Sequence, residues 1–113
     1  MHPNYKKKIL AARDIDTVVT GKRLGHPVRC LKNPFSRDMG AMEYDSTRTN
    51  EEIEKFGAGA LRKAAVEGDM ERGTIMSGQI AALVKKEQSA REIIVEMFTE
   101  AEKLLLEGAK WVR

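Results

Sequence analysis

The sequence predicts an α+β protein that is mainly helical, with two short antiparallel strands and about five helices. β-Branched residues crowd together at Ile15–Thr20, and apolar and basic residues alternate over Val28–Lys32, as is typical of strands. Apolar residues recur at helical spacing from Ile53 to Val66 and again from Ile93 to Val112. A two-stranded sheet is marginal alone, so we expect the helices to pack against it.

The first third of the chain contains a helix, two strands and a weaker helix. Pro3 suits the first position of a helix, and the apolar spacing continues that helix over Asn4–Ala12. Gly21–Gly25 predicts the turn between the strands. Asn33–Pro34 ends the second strand, because proline lacks an N–H group and restricts the residue before it. A weak helical pattern then follows over Phe35–Tyr44.

A capping box opens the next helix. Thr49 stands three residues before Glu52, and the apolar pattern behind them predicts one helix as far as about Val66. Gly57 and Gly59 lie inside this helix, where each costs about 1 kcal/mol relative to alanine. Two such losses within three residues predict a close contact with another backbone.

The last helix has the clearest start signal in the sequence, a capping box formed by Ser89 and Glu92. Behind it the pattern predicts a helix over Ala90–Val112. Its apolar stripe predicts a helix that packs against another surface. The stripe consists of Ile93, Ile94, Met97, Phe98, Ala101, Leu104, Leu105, Ala109 and Val112.

The length of 113 residues predicts a single unit, which divides into residues 1–48 and a helical part over 49–113 that contains the 73–84 loop and helix. No apolar run approaches the roughly 20 residues that cross a bilayer, so we expect no membrane association. The N-terminal segment lacks a hydrophobic signal core. Cys30 is the only cysteine, which together with the missing signal predicts a cytoplasmic protein.

The charged residues of this chain are best explained as solvent-exposed faces of helices. The net charge of +3 comes from 20 basic and 17 acidic residues. The basic clusters Lys6–Lys8, Lys22–Arg23 and Lys85–Lys86 are short and have no interleaved aromatic residues, so we expect no nucleic-acid partner. The sequence also lacks zinc-type spacing of cysteine and histidine, and it lacks a glycine-lysine phosphate loop.

The candidate binding segment is Gly73–Val84, where a glycine entry leads into a short apolar helix. Gly73 and Gly78 remove side chains where a flat ligand could approach the backbone. Gln79 offers both an amide donor and a carbonyl acceptor to the edge of a heterocycle. A plain glycine-broken connection between helices is the alternative. The predicted contact residues are Met76, Ser77, Gly78 and Gln79.

No catalytic residue emerges from the residue types. His2 lies at the start of the first helix, and His26 fits a loop histidine with a structural hydrogen bond better than a general base. Ser77 has no neighbouring base in the sequence, and Cys30 is expected to be a semi-buried structural thiol. No pair of carboxylates stands out as an acid and base.

Three segments nevertheless resemble a known family. They are HPNYKKKILAARDIDTVVT, GHPVRCLKNPFSRD and GAGALRKAAVEGDMERGTIMSGQIAALV, which together cover nearly the whole chain. In order and spacing they are similar to the C-terminal portion of FMN-dependent enoyl-acyl-carrier-protein reductases, relatives of the nitronate monooxygenases (2-nitropropane dioxygenases). The opening segment and RDIDTVVT resemble the reductase branch more, whereas Met39–Phe56 departs from the pattern and is shorter.

The resemblance implies a small substrate-side domain and C-terminal helices that complement a TIM-type flavin barrel. It places Met76–Gln79 at the flavin and substrate cleft. It also implies FMN as cofactor, bound weakly or not at all by this chain alone, and NAD(P)H as reductant in the complete enzyme. The phosphate loops and the catalytic histidine of the family lie in the barrel, so neither His2 nor His26 matches the catalytic histidine.

We therefore expect a C-terminal fragment or split product of an enoyl-acyl-carrier-protein reductase of fatty acid biosynthesis, inactive alone. Its partner would be the barrel portion, or a second copy bound through the apolar helix faces. A nitronate monooxygenase fragment, which would use oxygen, is one alternative. The other is an independent helical homo-oligomeric interaction module.

Overall fold

The computed structural model describes residues 1–108 and Lys110. The α+β class and the antiparallel strand pair are confirmed. Of the predicted last helix, Ala109 and Val112 lie outside the described residues. The elements are α1 (Pro3–Leu10), β1 (Thr17–Thr20), β2 (Val28–Leu31), α2 (Pro34–Tyr44), α3 (Asn50–Gly57), α4 (Ala60–Ala65), a 3-10 helix (Gln79–Leu83) and α5 (Ala90–Gly108).

The two strands form a hairpin in which Thr17 faces Leu31 and Thr20 faces Val28. Gly21 begins the connection with a φ of 80°, and a Cβ there would lie 2.3 Å from the carbonyl oxygen of His26. Glycine is required at this position because both the backbone angle and the close approach exclude a side chain. The turn places β2 beside β1. The opposite edge of β2 is free to pair with a further segment of the chain.

The core consists of two clusters of buried side chains. The first joins α1, β2, α4 and the segment after α4, and the second joins α2, α3 and α4. Ile75 in the first cluster and Ile53 in the second have no exposed surface. The remaining members are Tyr5, Ala12, Leu31, Ala64 and Ala81 in the first cluster and Phe35, Met39 and Ala60 in the second.

Helix α2 is more regular than its weak pattern predicts, because Asn33 caps it. The Asn33 side chain accepts a hydrogen bond from the backbone N–H of Ser36 at 2.9 Å. The backbone N–H of Asn33 in turn donates to the Ser36 hydroxyl at the same distance. The Asn33 amide also donates to the carbonyl oxygens of Met70 at 2.8 Å and Gly73 at 2.7 Å. One side chain therefore joins the start of α2 to the segment after α4.

The single helix predicted as far as Val66 is wrong, although its capping box at Thr49 is confirmed. The chain breaks between α3 and α4 because Gly59 adopts a φ of 74°. The predicted close backbone contact is also wrong. A Cβ at Gly59 would meet nothing within 4 Å, and one at Gly57 would only touch the Met39 side chain at 3.6 Å. A left-handed backbone angle at Gly59 accounts for the break.

Helix α5 begins at the predicted capping box, where the Glu92 N–H donates to the Ser89 hydroxyl at 3.3 Å. None of its residues is buried within the part of the chain that the structure describes. Phe98 is 74% exposed and Leu105 is 79% exposed. The apolar stripe is therefore present but uncovered.

None of the helices among residues 1–108 combines the length and apolar composition needed to cross a membrane.

Candidate functional site

The predicted binding loop starts as an extension of the sheet. The Leu31 N–H donates to the Ile75 carbonyl at 2.9 Å, and the Ser77 N–H donates to the Arg29 carbonyl at 3.1 Å. Side chains alternate along such an extended segment, so Ile75 points into the core while Met76 is 40% exposed. The pairing with β2 therefore presents Met76 on the outer side of the molecule.

Tyr5 of α1 holds the loop from the core side. Its hydroxyl donates a 2.8 Å hydrogen bond to the Met76 carbonyl oxygen, and the ring is buried. Burial raises the pKa of the Tyr5 hydroxyl, and the bond to Met76 partly offsets that rise. The sequence shows Tyr5 only as an apolar position on the first helix, so nothing local reveals a contact across 71 residues.

The two glycines of the loop have different roles. A Cβ at Gly73 would lie 2.5 Å from the backbone nitrogen of Ala64 and 2.6 Å from the carbonyl oxygen of Asp69. Packing against α4 therefore explains Gly73, and the prediction that it makes room for a ligand is wrong. At Gly78 a Cβ would only reach an Ile80 methyl group at 4.0 Å. The space beside Gly78 is open to a ligand.

The three residues after Ser77 have backbone N–H groups that are available to a ligand. The N–H groups of Gly78, Gln79 and Ile80 meet no acceptor among the described residues. The Gln79 side chain is exposed and likewise makes no hydrogen bond within that part of the chain. The predicted short helix is a 3-10 helix of five residues. In its first turn the Ala81 N–H donates to the Gly78 carbonyl oxygen at 3.1 Å.

Exposed apolar side chains neighbour these donors along the chain. Beside Met76, the exposed residues Ile80, Leu83 and Val84 lie along the 3-10 helix and its end. None of the predicted contact residues is ionisable, so the loop presents neutral hydrogen-bonding groups in an apolar surface. Such a surface can hold a flat heterocycle, with its ring on the apolar side chains and its polar edge at the N–H groups and Gln79.

The remaining candidates have structural roles or no role in the loop. The His2 ring accepts from the Asn4 N–H at the start of α1, and a Cβ at Gly68 would come within 2.3 Å of that ring. His26 is exposed, and its backbone N–H donates to the Gly21 carbonyl. Cys30 has no exposed surface, and burial raises the pKa of its thiol, which disfavours the reactive thiolate.

Comparison with known proteins gives consistent matches. The family model described as nitronate monooxygenase matches residues 1–100. A probable nitronate monooxygenase of Staphylococcus saprophyticus is 33% identical over 102 residues, which cover 89% of this chain and 28% of that protein.

Solved structures match over nearly the full chain. FabK from Thermotoga maritima is 40% identical with a TM-score of 0.89, over 98% of this chain and 35% of that one. A methionine-to-alanine mutant of the same FabK is 35% identical with a TM-score of 0.78, over 98% of this chain and 32% of that one. The chain thus spans about a third of the length of the proteins that it matches.

Proposed function

The chain belongs to the nitronate monooxygenase family, and from that premise we propose that its 113 residues form the substrate-side part of a flavin-dependent enoyl-acyl-carrier-protein reductase. Membership confirms the resemblance drawn from the three sequence segments. The observation that carries the reductase assignment is the match to FabK, a reductase of this type, at 40% identity over 98% of the chain. The probable nitronate monooxygenase is 33% identical.

We propose that the Met76–Gln79 loop contacts the flavin that this family uses. The free N–H groups of Gly78 and Gln79, together with the Gln79 amide, would hydrogen-bond to the polar edge of the ring system. Met76 and Ile80 supply apolar surface for its face. The lack of a side chain at Gly78 lets a flat group approach the backbone.

The bound flavin would supply the hydride transfer from NAD(P)H to the β-carbon of an enoyl thioester. The residues of this chain would orient the ring and exclude water from it. Tyr5 would keep the loop backbone fixed through its bond to Met76. No residue of this chain is proposed as a proton donor, since neither histidine lies at the loop.

The uncovered apolar surface of α5 and the 3-10 helix supports a large partner surface. Residues such as Phe98, Leu105 and Leu83 are each more than two-thirds exposed, and burying one such side chain contributes about 1.5–3 kcal/mol. We propose that this surface packs on a flavin-binding barrel like the remainder of the relatives' chains. On this proposal the 113 residues neither bind FMN tightly nor catalyse by themselves.

Two alternatives rest on particular observations. The match to the nitronate monooxygenase family model favours a monooxygenase reaction in which oxygen replaces the enoyl substrate. The exposed stripe of α5 favours a homo-oligomeric interaction module, in which a second copy covers that helix.

A chimera separates these possibilities. Residues 1–108 would replace the matching third of Thermotoga maritima FabK, with a Gln79→Ala version as the paired variant. Our proposal predicts a yellow, FMN-containing chimera that oxidises NADH in the presence of crotonyl thioester, and weaker flavin retention after Gln79→Ala. A folded chimera without FMN would refute the placement of the loop. Turnover of a nitronate with oxygen, without enoyl reduction, would favour the monooxygenase alternative.

The isolated chain gives the complementary measurement. Quenching of FMN fluorescence would be titrated while size-exclusion chromatography reports the oligomeric state of the same sample. We expect no saturable quenching below about 100 µM, because one loop offers few of the contacts on which tight binding depends. Micromolar binding by a discrete oligomer would instead support the homo-oligomeric module.

A further inference from the structure

A cleft separate from the Met76–Gln79 loop lies where the start of α2, the end of α3 and the turn after α4 meet. It has a volume of about 570 Å3 and is lined by Phe35, Phe56, Lys55, Lys63 and Arg72. That volume is within the range of small-molecule sites in proteins. None of these residues belongs to the Met76–Gln79 loop.

The turn that carries Arg72 is held in place by the Asp69 side chain and by a backbone hydrogen bond to α2. The Asp69 carboxylate accepts from the N–H of Glu71 at 3.0 Å and from the N–H of Arg72 at 2.9 Å. The Phe35 N–H donates to the Glu71 carbonyl at 3.0 Å, which joins this turn to α2. The backbone at the mouth of the cleft is therefore ordered independently of any ligand.

Positive side chains outnumber carboxylates in the lining of this cleft by three to two. Asp69 lies behind the lining, where the charges of Arg72 and Lys63 help its backbone hydrogen bonds to lower the pKa of its carboxyl. Lys55, Lys63 and Arg72 have no carboxylate within ion-pair distance among the described residues. Of the two acidic residues in the lining, Asp38 is already paired with Arg37 at 3.3 Å, and Glu71 is the other. An anion between the three cations would offset their mutual repulsion.

The aromatic residues provide a surface of a different kind beside these charges. The Phe35 and Phe56 rings are stacked with centroids 5.2 Å apart and planes within 3°. Phe35 is buried, whereas Phe56 is 38% exposed. Phe35 therefore covers one face of Phe56, and the exposed part of Phe56 remains available to a planar group.

We propose that this cleft binds a phosphate ester with a planar ring, with the ring against Phe56 and the phosphate between Lys63, Arg72 and Lys55. A phosphate dianion matches several cations better than a single carboxylate does, and lysine and arginine are the usual phosphate-binding side chains. The ring and the charge are recognised by different residues, so their contributions can be measured separately.

The test is a titration of the 15N-labelled 113-residue chain, followed by NMR, with phenyl phosphate, inorganic phosphate and phenol as probes. We expect phenyl phosphate to shift the amide signals of Phe56, Lys63 and Arg72 and to bind about fivefold more tightly than inorganic phosphate, a factor typical of one aromatic contact. Phenol should shift these signals least. Equal affinity for phenyl and inorganic phosphate, or shifts elsewhere only, would overturn the proposal.

Variants assign the two contributions. Lys63→Glu combined with Arg72→Glu should abolish the shifts, whereas Lys7→Glu combined with Lys8→Glu makes the same charge change on α1 and should preserve them. Phe56→Leu should lower the affinity for phenyl phosphate to that for inorganic phosphate. The preserved dispersion of the amide spectrum identifies variants that remain folded. Tighter binding of a polyglutamate peptide than of phenyl phosphate would instead identify an acidic-protein surface and overturn the proposal.

Discussion

Replacing Gly73 by alanine tests whether packing or ligand access explains the loop glycines. The new Cβ would lie 2.5 Å from the Ala64 nitrogen, 2.6 Å from the Ala64 Cβ and 2.6 Å from the Asp69 carbonyl oxygen. Two of these atoms are backbone, so no side-chain rotation relieves the overlap. Overpacking of this kind costs about 1–3 kcal/mol, and the cost should lie at the upper end because the Gly73 carbonyl is also held by Asn33.

Gly78→Ala is the matched control, with the same chemical change five residues later. Gly78 has a φ of −73° and a ψ of 172°, which any residue adopts, and its Cβ would meet only Ile80 at 4.0 Å. We expect its effect on the free energy of unfolding to stay within about 0.5 kcal/mol. The added methyl group would nonetheless occupy the space in front of the free N–H groups.

Urea unfolding, followed by circular dichroism, measures the difference in stability between the Gly73→Ala and Gly78→Ala variants. With a slope of about 1–3 kcal/mol per molar urea, a loss of 2–3 kcal/mol lowers the midpoint by roughly 1 M for Gly73→Ala. In the FabK chimera, Gly78→Ala should reduce FMN retention, while folded Gly73→Ala should keep it. A wild-type midpoint for Gly73→Ala, or an equal loss of stability for Gly78→Ala, would refute the division of roles between these glycines.

Three further outcomes follow from the same contacts. Tyr5→Phe removes the hydrogen bond to the Met76 carbonyl and should lower the free energy of unfolding by about 0.5–1.5 kcal/mol in urea titrations. Asn33→Asp keeps the cap acceptor but loses both amide donors, so it should cost about 1–3 kcal/mol by thermal unfolding, and an unchanged Tm would contradict the shared role of this side chain. Burial raises the pKa of the Cys30 thiol in the folded chain, so the same thiol ionises at lower pH in the unfolded chain. The free energy of unfolding should therefore fall as the pH rises above about 8.5, and Cys30→Ala should weaken this dependence on pH.

Local signals in the sequence were sufficient for most element starts. The boxes at Thr49 and Ser89 involve residues three apart, so the pattern and the contact are the same observation. The strand pair was also predictable, because β-branched residues and a glycine turn lie within one short stretch. Asn33 was recognised only as a strand end, since its bonds to Met70 and Gly73 cross about forty residues.

The roles of individual glycines were not predictable. Gly59 needs a positive φ, Gly73 needs closeness to α4, and Gly78 needs neither. A sequence shows the same missing side chain in all three cases, and only the neighbouring backbone distinguishes them. The stacking of Phe35 on Phe56 was missed for a related reason, because the rings belong to different helices whose packing the spacing does not specify.

The segment Ile75–Ser77 has consequences for the time course of folding. Its hydrogen bonds go to Leu31, Arg29 and Tyr5, all more than forty residues away, and none is to a near neighbour in the chain. Long-range contacts of this kind are slow to form, because the entropy of closing a long loop is lost before the contact stabilises the chain. The loop cannot assemble ahead of the fold or persist after it, so the Ser77 amide should exchange its proton with solvent only at the rate at which the sheet itself opens.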